Sequence, residues 1–179
     1  MTTIVGDWSR KILVADSQFS DDDTGLKYFE DKVIPIDGGW LGVAGNWCDG
    51  EKVQEYLSKK SKTKPKLKTD SSFLKLTNEG LFACGDDLEW ERVRTFMSIG
   101  SGAMAAEVCM RMGLTAEEAV KWACNVDLKS HEPIKTYNLE KWKTPMPYKD
   151  PKVRKAKNKE YSRRDYLAKY LSLIHIWRC

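Results

Sequence analysis

The chain is poor in the residues that build disulfide frameworks and metal sites. Of its 179 residues, only five are cysteines and two are histidines. The cysteines are scattered and form no C-x-x-C pair, which favours reduced thiols in a cytoplasmic protein over a disulfide scaffold or a zinc site. The sequence also has no glycine-rich phosphate loop. We therefore expect neither a metal centre nor a cofactor.

Long hydrophobic runs are absent as well. No apolar run is long enough to span a membrane, and the N-terminus lacks the hydrophobic stretch of a signal peptide, so we expect no membrane partner. The net charge of +4 is mild. The basic residues gather in two segments, 58–69 and 151–170, and the first of these lacks the interleaved aromatics of a nucleic-acid site. We expect solvated surfaces there and no nucleic-acid partner.

The N-terminus carries the most chemical information. A Met before a small residue is normally removed, which would leave Thr2 with a hydroxyl nucleophile and an α-amino base on one residue. The ordinary pKa of that amine, about 7.7–8.0, lets it accept a proton near neutral pH. Two short apolar runs, 3–5 and 11–15, predict a hairpin that returns Asp16 to the side of Thr2. On these residues alone, an ordinary hairpin with a turn-forming Thr and Asp is the favoured interpretation.

Later motifs change that interpretation. In chain order they are Thr2-Thr-Ile-Val5 with Ala15-Asp-Ser-Gln18, then Asp31-Lys-Val-Ile34, Gly42-Val-Ala-Gly45, Ile99-Gly-Ser-Gly102 and Asp127-Leu-Lys-Ser130. In this order they resemble the N-terminal nucleophile hydrolases of the proteasome β family, and most closely the HslV-type peptidases. The resemblance covers roughly residues 1–139. It implies an α+β fold, a four-layer αββα sandwich, here with a shortened helical layer.

The resemblance also implies roles for the residues around Thr2, the nucleophile. Lys32 would point at Thr2 and favour the neutral form of its amine by repulsion of like charges. Asp16 would pair with Lys32 and hold it charged. The Gly45 N–H would stabilise the oxyanion of the reaction. From the residues alone, a surface lysine at a strand end and a turn glycine explain Lys32 and Gly45 equally well.

Three further residues match the family pattern. Ser101 would shuttle a proton or position the amine of Thr2, and a purely backbone role is an equal alternative. Asp127 and Ser130 would hydrogen-bond around the nucleophile. Two residues, 131–132 (His-Glu), stand where the family usually has Gly-Gly, which could alter this loop.

The implied function is that of a threonine-type endopeptidase subunit that hydrolyses unfolded polypeptides. The implied assembly is a homo-oligomeric ring, and the resemblance also suggests an ATPase unfoldase as its partner. Two alternatives remain open. The first is an enzyme of the same fold that hydrolyses small amides, and the second is a catalytically silent scaffold or interaction subunit. The chain also departs from the family because a single predicted helix and a basic loop replace its helical hairpin.

The sequence predicts one folded domain, residues 1–142. A basic extension follows at 143–170. The last nine residues, 171–179, are typical of an in-frame translation of a sequencing adapter, and we expect no function in them. The segment patterns predict a loop at 17–25, a helix at 49–57 with Asp49 as N-cap, a helix at 103–112, a helix opened by a capping box at Thr115 and ending at 125, and a last strand at 134–139.

Overall fold

The computed structural model describes residues 2–20, 27–59, 63–68 and 70–142. The expectations for the basic extension and for the last nine residues lie outside these ranges. Within them, the strands form a four-stranded sheet, a five-stranded sheet and a two-stranded ribbon, all antiparallel. Together with the helices this is an α+β sandwich.

The first sheet contains the N-terminal hairpin. Its strands are β1 (Thr3–Asp7), β2 (Ile12–Ala15), β10 (Phe96–Gly100) and β11 (Lys135–Asn138). They lie in the order β10–β1–β2–β11. Ile4 faces Ala15 across the hairpin, and the N–H of Asp16 donates to the carbonyl of Thr3 at 3.1 Å. The predicted hairpin is therefore present, and it returns Asp16 to the start of the chain.

The second sheet is a meander whose strands pair in chain order. They are β5 (Val33–Ile36), β6 (Gly39–Ala44), β7 (Ser72–Thr77), β8 (Gly80–Cys84) and β9 (Glu91–Val93). The ribbon pairs β3 (Gln18–Ser20) with β4 (Lys27–Phe29). The prediction of a loop over 17–25 is therefore wrong at its start, because cross-strand pairing overrides the polar composition that suggested a loop.

Three helices occur in the described ranges: α1 (Trp47–Lys59), α2 (Ala103–Arg111) and α3 (Ala116–Val126). The capping box of α3 is confirmed. The Thr115 hydroxyl accepts from the N–H of Glu118, and the Glu118 carboxylate accepts from the N–H of Thr115. This exchange satisfies two amide groups that the first turn of a helix leaves without partners.

Asp49 is not the N-cap of α1, as the sequence suggested. The helix begins two residues earlier, and the Asn46 side chain accepts from the N–H of Cys48 at 2.9 Å. Asp49 is instead buried in the first turn, where its carboxylate binds the ammonium of Lys52 at 2.7 Å and the N–H of Lys68 at 2.9 Å. The buried aspartate thus ties the segment after the helix to its first turn.

The alternation of β1 and β2 divides the core. Ile4, Leu13 and Ala15 pack between the two sheets, with Leu74 and Leu81 among their partners from the second sheet. The neighbouring positions face the other way and pack on α2 and α3. They include Val5, Ile12 and Val14, with Ala106, Ala119 and Val120 from the helices. A third cluster joins the second sheet to α1, through residues that include Leu41, Val43, Val53 and Phe73.

In the described part of the chain, no helix has both the length and the apolar character needed to cross a membrane.

The capping box gives a stability prediction. Thr115→Ala removes the side-chain acceptor for the Glu118 N–H, and we expect it to lower the free energy of unfolding by about 1 kcal/mol. Urea denaturation should show a lower midpoint with an unchanged slope. Asn125→Ala, at an exposed position in the last turn of the same helix, is the control and should not lower the midpoint. Equal midpoints for Thr115→Ala and wild type would contradict the prediction.

Candidate active site at the N-terminal strand

Asp16 is the residue on which several chain segments converge. It follows β2 directly and is 1% exposed. Its Oδ1 accepts from the N–H of Thr3 at 2.8 Å. Its Oδ2 accepts from the N–H groups of Gln18 and His131 at 3.3 and 3.2 Å. The carboxylate is thus held by the backbone of three segments, which is how a buried anion is satisfied.

Lys32 completes the surroundings of this carboxylate. It lies immediately before β5 and is fully buried, and its ammonium is 2.9 and 2.8 Å from the two carboxylate oxygens of Asp16. It also lies 5.3 Å from the ring centroid of Phe19. Burial lowers the pKa of Lys32, and the attraction of Asp16 opposes that shift. Burial thus makes the Lys32 ammonium easier to deprotonate than that of an exposed lysine, while the adjacent Asp16 carboxylate favours its charged form.

A second carboxylate lies at the C-terminal end of α3. Asp127 Oδ2 accepts from Ser101 Oγ at 2.6 Å and from Ser130 Oγ at 2.7 Å. Partial burial raises the pKa of Asp127, but the hydrogen bonds from Ser101, Ser130 and the N–H of Lys129 outweigh it, so the net pKa is lowered. Asp127 is therefore an anion at neutral pH, and both serine hydroxyls direct their protons toward it.

Thr3 links these two carboxylates, and Thr2 precedes it in the chain. Thr2 is 5% exposed, and Ser101 Oγ is 3.5 Å from its carbonyl oxygen. Thr3 Oγ1 is 2.7 Å from Ser130 Oγ. The Asp16–Lys32 pair and the serine–aspartate cluster are thus joined through the residue that follows Thr2. Apart from Gly45, this arrangement includes all of the residues that the sequence proposed.

Gly45 directly follows β6. It has φ +118°, and a Cβ there would come within 2.7 Å of Ser71 Oγ, so both backbone conformation and space require glycine. Two residues earlier, the N–H of Val43 donates to the carbonyl of Lys32 at 3.0 Å. Gly45 therefore lies two residues beyond the backbone partner of Lys32. Its role as an oxyanion donor remains a prediction.

Two other glycines allow the chain to approach the threonines. Gly100 has φ +95°, and a Cβ on it would lie 1.9 Å from the carbonyl oxygen of Thr2. A Cβ on Gly102 would lie 2.0 Å from Thr3 Oγ1 and 3.3 Å from Asp127 Oδ2. The Gly-Ser-Gly motif thus brings Ser101 close to the N-terminal strand because the residues on both sides of it have no side chain.

The sequence did not predict the backbone N–H groups that bind Asp16. Thr3 was read only as part of an apolar strand, although its N–H and its hydroxyl bind the two carboxylate centres. The sequence indicated that His131 and Glu132, in place of Gly-Gly, could alter this loop. The side chain of His131 is exposed, and its N–H binds Asp16, so the contact depends on no particular side chain. No sequence signal distinguishes this N–H group from any other. Cys124 on α3 is also near both centres, and burial raises its pKa to about 12.

Comparisons with known proteins identify the fold class. No protein-family model matches this chain, and no curated protein matches it. Solved structures do match. HslV from Trypanosoma brucei has a TM-score of 0.60 at 18% identity and aligns over 75% of this chain and 97% of its own. The chain therefore shares the fold of this HslV protein.

A bacterial protein shares the same fold. Thiobacillus denitrificans BPH matches with a TM-score of 0.59 at 17% identity, over 75% of this chain and 95% of its own. The same protein in complex with epoxomicin matches with a TM-score of 0.56 at 15% identity, over 75% and 96%. At 15–17% identity, the similarity to these structures shows a shared fold.

The close approach at Gly102 gives a prediction. Gly102→Ala places a methyl group where Thr3 Oγ1 now lies, so the first strand must shift or the hydroxyl must leave Ser130. We expect a lower thermal midpoint, with a loss of about 1–3 kcal/mol of stability. Gly85→Ala is the matched control, because its nearest atom is 3.9 Å away and its φ is ordinary. Equal midpoints for the two variants would contradict the geometry described above.

The lowered pKa of Asp127 gives a second prediction. A carboxyl whose pKa is lower in the folded protein contributes stability above its unfolded pKa and loses it as the pH falls through the folded value. Asp127→Asn removes that contribution. The difference in unfolding free energy between wild type and the variant should therefore be largest at neutral pH. It should shrink below the ordinary value of 3.8. Urea titrations at several pH values measure it, and a pH-independent difference would refute the assignment.

Proposed function

We propose that this chain is a threonine-type endopeptidase subunit that hydrolyses peptide bonds of unfolded polypeptides. Removal of Met1 would expose Thr2 as the nucleophile. The observation that carries the proposal is the position of Thr2, one residue before the point where a buried Asp–Lys pair and a serine–aspartate cluster meet. The fold of HslV and of an epoxomicin-binding protein supports it.

In the proposed reaction, Thr2 Oγ attacks the carbonyl carbon of the scissile peptide bond. The α-amino group of Thr2 accepts the hydroxyl proton and passes it to the leaving amine as the C–N bond breaks. The product is an ester between substrate and Thr2. Water then attacks that ester, with the same amine as base, and releases the acid and the free hydroxyl. No external oxidant, reductant or metal is needed for this balance.

The two charged centres have different proposed roles. The Lys32 ammonium, held by Asp16, favours the neutral amine by repulsion and stabilises negative charge on Thr2 Oγ. Asp127 draws the Ser101 proton toward itself, which leaves a lone pair of Ser101 Oγ free to accept from the Thr2 amine. The Gly45 N–H is the proposed oxyanion donor, a contact typically worth about 3–4 kcal/mol in the transition state.

We further propose a four-layer αββα order and a homo-oligomeric ring, with an ATPase unfoldase as a possible partner. The three core clusters support the layer order, since one lies between the sheets and one lies beneath the helices on each side. Exposed apolar side chains along α2 and at its C-cap support self-association, because Met104, Val108 and Met112 are 80%, 52% and 74% exposed at a helical spacing of four. Sedimentation of the untagged protein would measure the assembly.

The proposal is tested with a peptide epoxyketone and fluorogenic peptides. Intact mass should show the untagged chain without Met1 and with one covalent adduct, and the adduct should be absent in Thr2→Ala. We expect kcat/KM to fall by about a thousandfold or more in Thr2→Ala and in Lys32→Ala, since each removes a member of a cooperating unit. Lys32→Ala also leaves the buried Asp16 without its cation, so circular dichroism must show that it is folded.

Matched controls are Thr95→Ala and Lys66→Ala, both at exposed positions outside the site. They should retain wild-type turnover and labelling. Retained Met1 with no adduct would favour a silent scaffold subunit. Loss of Met1 with no adduct would favour the small-amide enzyme. Equal turnover in Thr2→Ala and wild type would end the proposed mechanism.

A further inference from the structure

Thr3 connects the two halves of the site. It is fully buried in β1. Its N–H donates to Asp16 Oδ1 at 2.8 Å, and its carbonyl accepts from the N–H of Asp16 at 3.1 Å. Its hydroxyl lies 2.7 Å from Ser130 Oγ, although the two residues are 127 positions apart in the chain. The backbone of Thr3 therefore binds Asp16, and its side chain binds Ser130, which in turn binds Asp127.

The direction of the hydroxyl contact follows from proton counting. An ionised carboxylate only accepts hydrogen bonds, and a hydroxyl has a single proton to donate. Ser130 gives its proton to Asp127 Oδ2 at 2.7 Å. Ser130 Oγ can then only accept from Thr3, so the Thr3 hydroxyl is the donor at 2.7 Å. The result is a one-way chain from Thr3 through Ser130 to Asp127, which Ser101 joins from the other side at 2.6 Å.

We propose that the Thr3 hydroxyl is a positioning group, which holds Ser130 and Asp127 in register with the residue before it. This inference rests on the proposed function for its consequence, since the residue it positions is the proposed nucleophile Thr2. Hydrogen bonds in such a chain strengthen one another, so losing the first donor weakens the bond that Ser130 makes to Asp127. Burial leaves no solvent to replace that donor.

The space around the hydroxyl supports this role. A Cβ on residue 102 would lie 2.0 Å from Thr3 Oγ1, so the hydroxyl occupies the volume that glycine leaves open. The charged and titratable groups that act on Asp127 from neighbouring elements are the N-terminal amine, Lys32 before β5 and Cys124 on α3. The hydrogen bond of the Thr3 hydroxyl goes to Ser130 and to none of these three groups. A change made at that hydroxyl therefore leaves all three in place.

The test compares Thr3→Val, which keeps the branched shape and removes the hydroxyl, with Thr3→Ser, which keeps the hydroxyl. Carbon-13 NMR of labelled aspartate carboxyls, assigned with Asp127→Asn, gives the pKa of Asp127 without requiring turnover. We expect Thr3→Val to raise this pKa, and Thr3→Ser to leave it as in wild type. With peptide substrate, kcat/KM should fall about tenfold to a hundredfold in Thr3→Val, and its acidic limb should move to higher pH.

The outcomes separate this inference from the proposed function. An unchanged pKa of Asp127 in Thr3→Val would overturn the hydrogen-bond chain, and equal kcat/KM losses in Thr3→Val and Thr3→Ser would show a packing effect instead. If wild type neither turns over peptides nor reacts with the epoxyketone, the proposed function fails. The NMR comparison of Thr3→Val with Thr3→Ser still tests the hydrogen bonds from Thr3 through Ser130 to Asp127. If circular dichroism shows Thr3→Val to be unfolded, Thr3→Ala takes its place with the same expected directions.

Discussion

The buried ion pair between Asp16 and Lys32 is the interaction on which the rest of this site depends. Two opposite charges removed from water are tolerated only when they meet each other and when their remaining hydrogen-bonding groups are satisfied. The Lys32 ammonium meets both oxygens of Asp16, and three backbone N–H groups supply the rest. The first hairpin, the ribbon strand β3, the start of β5 and the loop after α3 must therefore keep their relative positions.

Glycine allows the second carboxylate to approach this pair. Asp127 and its two serines reach the N-terminal strand only because residues 100 and 102 have no side chain. Glycine loses more conformational freedom on folding than other residues, so this arrangement opposes folding in a segment that must turn directly from a strand into a helix. The result is a short connection between two anions, in which Thr3 binds Asp16 directly and Asp127 through Ser130. In the proposed peptidase, this connection fixes the residue that carries the reaction.

The elements predicted from the sequence were those with a strong local cause. The N-terminal hairpin follows from two short apolar runs close together in the chain, and the start of α3 follows from the reciprocal hydrogen bonds of Thr115 and Glu118. The errors fell where a distant contact decides the structure. Gln18–Ser20 is a strand because it pairs with Lys27–Phe29. Asp49 is buried inside α1 because the distant Lys68 N–H binds it.

The sequence by itself determined the candidate residue types and their order, because short motifs and local periodicity are written in neighbouring positions. It was also enough to suggest the pairing of Asp16 with Lys32. Only the tertiary structure decided which backbone groups hold Asp16, and that Thr3 reaches Ser130 across 127 positions of chain. Every non-proline residue carries an N–H group, so the sequence does not distinguish the ones that bind a carboxylate. That choice depends on where packing of the two sheets and their helices brings distant segments together.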